Sequence, residues 1–378
     1  MKTLPRPTHL CLAVLIVFLS GCTPTEPEED ERFFYEASLD ISDWSELFAE
    51  EQIIDLQFPD TSEVPISVRG LVLGKEGALF IPDSKHYRIL VFDSLGTLLH
   101  TIGKEGTDPG EFLLLGSLQM DAQYNLYASD IEGGKITVFN APDYQYTEQF
   151  TIPSSITKFL GDPEGNLIIY SPYNEKVIRR YDREGNLLGE ALQPRQENLR
   201  RFLARFQTGG LVSDETGSGI YAIFPEDFRI YHYNNDLTLM DVLRSEAPSL
   251  WRPVSPRFPK KLSPYKYNMP HQDWWDSFLH VARIFMLSDQ VIAVTLFESY
   301  NMNFEKGYVN LYSTDGGIIT EGLKIPHGAQ VVAMGNEAVY LATEAYLDED
   351  GSITPLKLRK YVFSGWAGPK LASSSEFP

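Results

Sequence analysis

One pattern recurs along the chain and leaves little freedom in how it folds. A short apolar run ends in a polar turn, a second run follows, and a third, of the type Arg-Ile-Leu-Val-Phe-Asp, precedes another turn and a fourth run. The third runs align most readily: Arg88–Asp93, Lys135–Asn140, Val177–Asp182, Arg229–Asn234, Tyr308–Ser313 and Leu358–Phe363. Their ends lie 42 to 52 residues apart, except where an insertion separates the fourth from the fifth. Turns such as Gly165-Asn166, Glu184-Gly185-Asn186 and Asp315-Gly316-Gly317 punctuate the copies. Short β-rich runs bounded in this way read as strands, and no long helical period interrupts them. A four-stranded unit of about forty to fifty residues is propeller spacing. The expected fold is therefore all-β, a six-bladed β-propeller of four-stranded antiparallel blades.

The last copy is one strand short, and Gln52–Phe58 stands alone before the first. That N-terminal strand is predicted to close the last blade, removing edges that invite aggregation. A seven-bladed ring with a degenerate blade inside 245–279 is the alternative. Residues Gly103-Lys-Glu-Gly106, Pro109-Gly-Glu-Phe112, Asn125–Asp130 and Arg88–Asp93 resemble the NHL repeat, over about 70–190. As a whole the chain resembles the six-bladed propeller lipoproteins of the Bacteroidetes-type outer membrane.

The N-terminus carries its own signals. Lys2 and Arg6 precede the apolar run Leu10–Phe18, which is too short to span a bilayer comfortably and suits the core of a secretory signal. Leu19-Ser20-Gly21-Cys22 resembles a lipobox, which implies cleavage before Cys22, lipid attachment at its sulfur, and a membrane partner through that lipid. The expected organisation is a signal peptide over 1–21, an acidic tether over 22–32, the propeller over 33–366 and a C-terminal tail over 367–378. Thr23 after the cysteine resembles the outer-membrane sorting preference, so the expected location is an outer-membrane lipoprotein facing either the periplasm or the cell surface.

Composition then narrows the chemistry. Cys11 would leave with the signal and Cys22 would carry lipid, so nucleophilic cysteine, thiolate zinc and disulfides all drop out. Fifty-two acidic against thirty-two basic residues give a net charge of −20, and loss of Lys2 and Arg6 takes it to −22. That surplus argues against a nucleic-acid partner, which needs a basic surface.

Candidate sites fall into three groups. Asp83, Asp130, Glu226, Asp227, Glu298 and Glu344 follow the second strand of five copies and should share one face. They are read as turn caps and hairpin partners, with Asp83 and Asp130 each five residues before Arg88 and Lys135. His86, His100, His232, His271, His280 and His327 have no ligand spacing, so neither metal nor cofactor is expected. The third group is the insertion 245–279. Trp251, Tyr265, Tyr267, Trp274 and Trp275 offer flat apolar platforms there, and Arg252, Arg257, Lys260 and Lys261 offer cations. A second basic stretch, 195–205, holds Arg200, Arg201 and Arg205. Aromatic faces stack on sugars or bury as hot spots, and arginines fork onto carboxylates. The expected function is capture of a protein or glycan ligand without turnover. Packing of 245–279 onto the ring as a lid is the bland alternative. Related propellers imply another, a hydrolase, lactonase or lyase with a divalent metal in the central channel.

Overall fold

The structure, a computed structural model, describes residues 31–33, 35–36, 41, 43–60, 64–65, 68, 70–193, 208–214, 216–224, 229–244, 280–297, 307–343 and 356–364. Among these the helical segments are single 3-10 turns, and the rest is strand and turn. Three strands come before the first blade: β1 (Glu31–Phe33), β2 (Tyr35–Glu36) and β3 (Phe48–Asp55). Blade one holds β4 (Val72–Leu73), β5 (Leu79–Asp83), β6 (Arg88–Phe92) and β7 (Leu98–Ile102). Blade two holds β8 (Leu115–Met120), β9 (Leu126–Asp130), β10 (Lys135–Asn140) and β11 (Gln145–Thr151). Blade three holds β12 (Lys158–Gly161), β13 (Leu167–Tyr170), β14 (Ile178–Tyr181) and β15 (Leu187–Ala191). Blade four holds β16 (Gly210–Ser213), β17 (Gly219–Ile223), β18 (Arg229–Asn234) and β19 (Leu239–Arg244). Blade five holds β20 (His280–Ser288), β21 (Val291–Phe297), β22 (Gly307–Ser313) and β23 (Gly317–Lys324). Blade six holds β24 (Gln330–Gly335), β25 (Ala338–Ala342) and β26 (Lys357–Phe363), with β3 as its outermost strand.

Burial follows from this stacking. A blade has a neighbour on both faces, so its middle strands cannot alternate apolar and polar residues. Every residue of β5, β13, β17 and β21 is buried. The outer strands face water and do alternate or turn polar, as the exposed run in β11 illustrates. Apolar clusters lie between successive blades. Phe80, Ile89 and Val91 of blade one meet Leu118 and Phe139 of blade two, with Phe112 between them. At the far end of the chain, Ile54, Tyr340 and Leu358 of blade six meet Leu79, Ile81 and Phe92 of blade one. That last cluster closes the ring.

Closure uses the strand that the sequence left alone, spanning Phe48–Asp55 rather than Gln52–Phe58. Phe48 lies opposite Phe363 and Asp55 opposite Lys357 in an antiparallel ladder. Phe48 and Ile54 are buried there, and Glu50 accepts hydrogen bonds from Arg359 Nη1 at 2.7 Å and from the Tyr361 hydroxyl at 2.9 Å. Gln57 has already left blade six, and its N–H donates to the Gly96 carbonyl of blade one at 2.8 Å.

The segment before β3 touches two more blades. β1 runs parallel to β19, with Glu31 opposite Val242, and β2 runs parallel to β23, with Tyr35 opposite Gly317. Among the described residues strand pairing thus begins at Glu31, inside the stretch read as a tether. In turn β1 and β2 lie on the outer edges of blades four and five, β3 completes blade six and Gln57 reaches blade one. An unpaired outer strand is a template for aggregation, and this run of chain covers such edges.

Candidate functional site: the loop face and the channel mouth

Strand alternation gives the ring two unlike faces. Turns from first to second and from third to fourth strand lie at one end of each blade. Many of these are closed by an acid: Asp93 Oδ1 accepts from the N–H of Leu95 and Thr97, and Asp162 Oδ1 from Glu164 and Asn166, all at 2.8 or 2.9 Å. Backbone donation from Thr97 holds the Asp93 carboxyl below its usual range. Loops from second to third strand, and the connectors between blades, lie at the other end. The strand ends that flank 194–207 and 245–279 both belong to this second face, as do those that flank 225–228, 298–306 and 344–355.

The acids behind the second strands do structural work where they are described. Asp83, fully buried, accepts from Arg88 Nε at 3.1 Å and lies 2.7 Å from His86 Nδ1. Asp130, also buried, accepts from the N–H groups of Leu113, Leu114 and Gly133. The hairpin partner expected for Asp130 is absent, since Asp130 forms no ion pair with Lys135. Three backbone donors already satisfy the carboxylate, and they pin the connector entering blade two. Glu226, Asp227, Glu298 and Glu344 lie outside the described residues. So do His271 and the basic stretch 195–205. Among the other histidines, His232 lies 3.2 Å from Asp214, and His280 stacks on Phe297 with ring centroids 5.0 Å apart. Among the described residues no three His, Cys, Asp or Glu side chains come together to hold a metal ion.

Cys22 and the nine ligand candidates (Trp251, Arg252, Arg257, Lys260, Lys261, Tyr265, Tyr267, Trp274 and Trp275) all lie outside the described residues. A cavity of about 860 Å³ runs along the ring axis, walled by the first strand of every blade. Asp83, Lys85, Thr208, Phe297 and Gly307 form its mouth on the loop face. Deeper in, Leu118, Ile284, Met286, Val332 and Met334 make an apolar wall broken by Gln119 and Ser213.

Near the mouth the wall carries two cations that sequence reasoning passed over. Lys158 opens β12, and its ammonium donates to the Gly209 carbonyl. Burial, with the nearby Arg283 charge, holds that amine well below the ordinary lysine value. Arg283 Nη1 lies 4.0 Å from where a side-chain carbon on Gly70 would sit, so the guanidinium reaches toward the connector leading into blade one. Thr157 and Thr208 flank Lys158. The Tyr170 hydroxyl ties them together, donating to the Thr208 carbonyl at 3.1 Å, while the Thr157 N–H donates to the Tyr170 carbonyl. Burial pushes the Tyr170 phenol far above its ordinary range. This donor set does not suit a divalent cation, whose ligands are carboxylates and carbonyls rather than ammonium and guanidinium groups. The sequence signal was a basic residue in a first strand, where one wall faces the axis.

Comparison with known proteins places the chain. A family model described as DUF5128, a 6-bladed beta-propeller, matches residues 36–243. The chain belongs to that family. No curated protein matches it. Among solved structures, this DUF5128 propeller is similar to a Bacteroides fragilis protein named as exported, with 16% identity and a TM-score of 0.60 over 87% of this chain and 99% of that one. It is also similar to a member of the DUF4221 family from Bacteroides vulgatus, with 12% identity and a TM-score of 0.53 over 83% and 97% of the two chains. At such identities the likeness speaks for the fold alone.

Proposed function

We propose that this DUF5128 propeller is an exported, lipid-anchored envelope protein that captures a protein or glycan ligand on its loop face. The observation that carries the reading is topological. Both stretches rich in aromatic and basic residues, 195–205 and 245–279, are joined to strand ends on one face, around the mouth of the axial cavity. In this reading Trp251, Tyr265, Tyr267, Trp274 and Trp275 supply contact area, Arg252 and Arg257 fork onto anionic groups, and Lys260 and Lys261 add point charges. The anchor is Cys22, supported by the lipobox-like Leu19-Ser20-Gly21-Cys22, and export is supported by the name of the Bacteroides fragilis neighbour. The NHL-like repeat character rests on Gly103–Phe112, whose loop is closed by Phe112 N–H donating to the Lys104 carbonyl at 2.9 Å.

The test uses protein extracted from its native membrane. Mass spectrometry should find Cys22 acylated. Replacing Trp274 and Trp275 with alanine should leave the melting temperature unchanged and abolish ligands found for the wild type on a glycan array or by cross-linking. An unmodified Cys22 defeats the anchor. An unaltered binding profile, or a large loss of melting temperature pointing to a packed lid, defeats the capture site.

A further inference from the structure

We propose that the rim of blades three and four, where Leu187, Leu188 and Met240 are exposed, is seated on the lipid bilayer, so that the ring stands on edge. This placement rests on the lipid anchor at Cys22 and goes beyond capture on the loop face.

The anchored chain meets the ring at a defined place. β1 runs parallel to the outer strand of blade four, with Glu31 opposite Val242. Met240 lies two residues back along that strand, about 8 Å from Glu31 by strand spacing and rise per residue. Only residues 22–30 separate Cys22 from Glu31, and nine residues reach at most about 30 Å when fully extended. An acylated Cys22 therefore keeps this part of the rim within that distance of the bilayer. Blade one, opposite in a ring of six, is held farthest away.

The same rim is apolar where the fold does not require it. The fourth strand of every blade leaves one residue over at a bulge: Leu99, Thr147, Leu188, Met240, Ile319 and Glu51. Thr147 and Glu51, both exposed, show that a polar residue serves there. Yet Leu188 and its neighbour Leu187 are each 50% exposed, and Met240 is 62% exposed. The two blades touch at this point, since a side-chain carbon on Gly189 would lie 3.8 Å from Leu237 Cδ1. Large apolar side chains beside an anchored chain suit the boundary between headgroups and acyl chains.

Charge favours the rim over the turn face. The exposed carboxylates of Glu190 and Asp236 are paired, with Arg179 at 3.4 Å and with Arg180 at 2.6 Å. The turn face instead carries Asp93, Asp121, Asp162, Asp182 and Asp214 in its turns. A ring lying on that face would bring these acids toward lipid phosphates of the same sign. On edge, the loop face and the channel mouth both open sideways and stay within reach of a ligand.

Leu99 of blade one, 56% exposed at the same bulge, supplies the comparison. With Cys11 removed and Cys22 acylated, the mature chain has no free thiol, so one introduced cysteine can carry a fluorescent probe. Leu188→Cys, Met240→Cys and Leu99→Cys, purified from native membranes and labelled with nitrobenzoxadiazole, are placed in phosphatidylethanolamine–phosphatidylcholine vesicles containing a headgroup nitroxide lipid. Quenching at 188 and 240 should exceed that at 99 at least about twofold. Leu187→Ser with Met240→Ser should lower quenching at 188 to the level at 99, while the chain still floats with the vesicles. Equal quenching at all three positions, stronger quenching at 99, or no effect of the serines would overturn the proposal and leave the anchor standing. Wild type that takes up the probe at Cys22 before any vesicle is added would remove the anchor, and the seated rim with it.

Discussion

Arg180 and Lys158 are both cations of the third blade, and their surroundings treat them oppositely. Arg180 donates to Asp162 at 2.8 Å, to Glu164 at 2.7 Å and to Asp236 of blade four at 2.6 Å. Asp162 is buried while Glu164 and Asp236 are exposed, so the pair with Asp162 carries most of the energy. Burial alone would raise the Asp162 carboxyl. Donation from Asn166 and Arg180 outweighs it, and its pKa falls below the usual value. Arg180→Met strands that carboxylate and should cost about 2–3 kcal/mol near neutral pH, measured by urea unfolding. Because the folded pKa is depressed, the contribution is present above the unfolded carboxylate value of about 3.9 and is lost as pH falls through the folded one. The gap between variant and wild type should therefore start to narrow below about pH 4 and close once the folded Asp162 carboxyl is protonated, and a gap that does not narrow as pH falls would remove Asp162 from the account. Arg88 with Asp83 was legible because a fixed spacing across a hairpin brings them together. Arg180 with Asp236 was not, since it depends on how two blades twist against each other.

At the scale of elements, the turn from third to fourth strand does more than reverse the chain. Its fourth residue is left-handed in four blades, Gly96 (φ 89°), Gly185 (φ 84°), Leu237 (φ 61°) and Gly316 (φ 99°), and in blade two, whose turn is one residue longer, the fifth is, Tyr144 (φ 51°). In blade one this residue meets blade six, and a side-chain carbon on Gly96 would fall 2.4 Å from the Asp55 carbonyl. Blade two uses a large residue there instead, and Tyr144 packs edge-on against Phe80 of blade one at 4.8 Å. Gly96→Val combines left-handed strain with a backbone clash at the closing strand, and should destabilise by about 2–4 kcal/mol in urea unfolding. A change under about 0.5 kcal/mol would contradict the contact. The sequence announced these turns through Asp, Asn and Gly at fixed offsets. It hid the partner, because the glycine is required by a strand some forty residues earlier. The closing strand was displaced for a related reason: Gln57 reads as β-rich, yet it pairs with blade one.

For the molecule as a whole, the blade count was legible because each blade is a local unit whose third strand repeats nearly the same text. The channel chemistry was not. Lys158 of blade three and Arg283 of blade five come near each other only once the ring is shut. The net charge of −20 gives no warning of cations along the axis, since charge balance reports the outer surface. Everything assigned to the faces and the channel depends on β3 completing blade six. Ala49 and Val362 are direct partners in that ladder, close enough for a disulfide. With Cys11 and Cys22 replaced by serine, the pair Ala49→Cys and Val362→Cys should oxidise within one chain, run faster on non-reducing gels and raise the melting temperature. Failure to cross-link, or cross-linking only between chains, would show that the N-terminal strand does not close the ring.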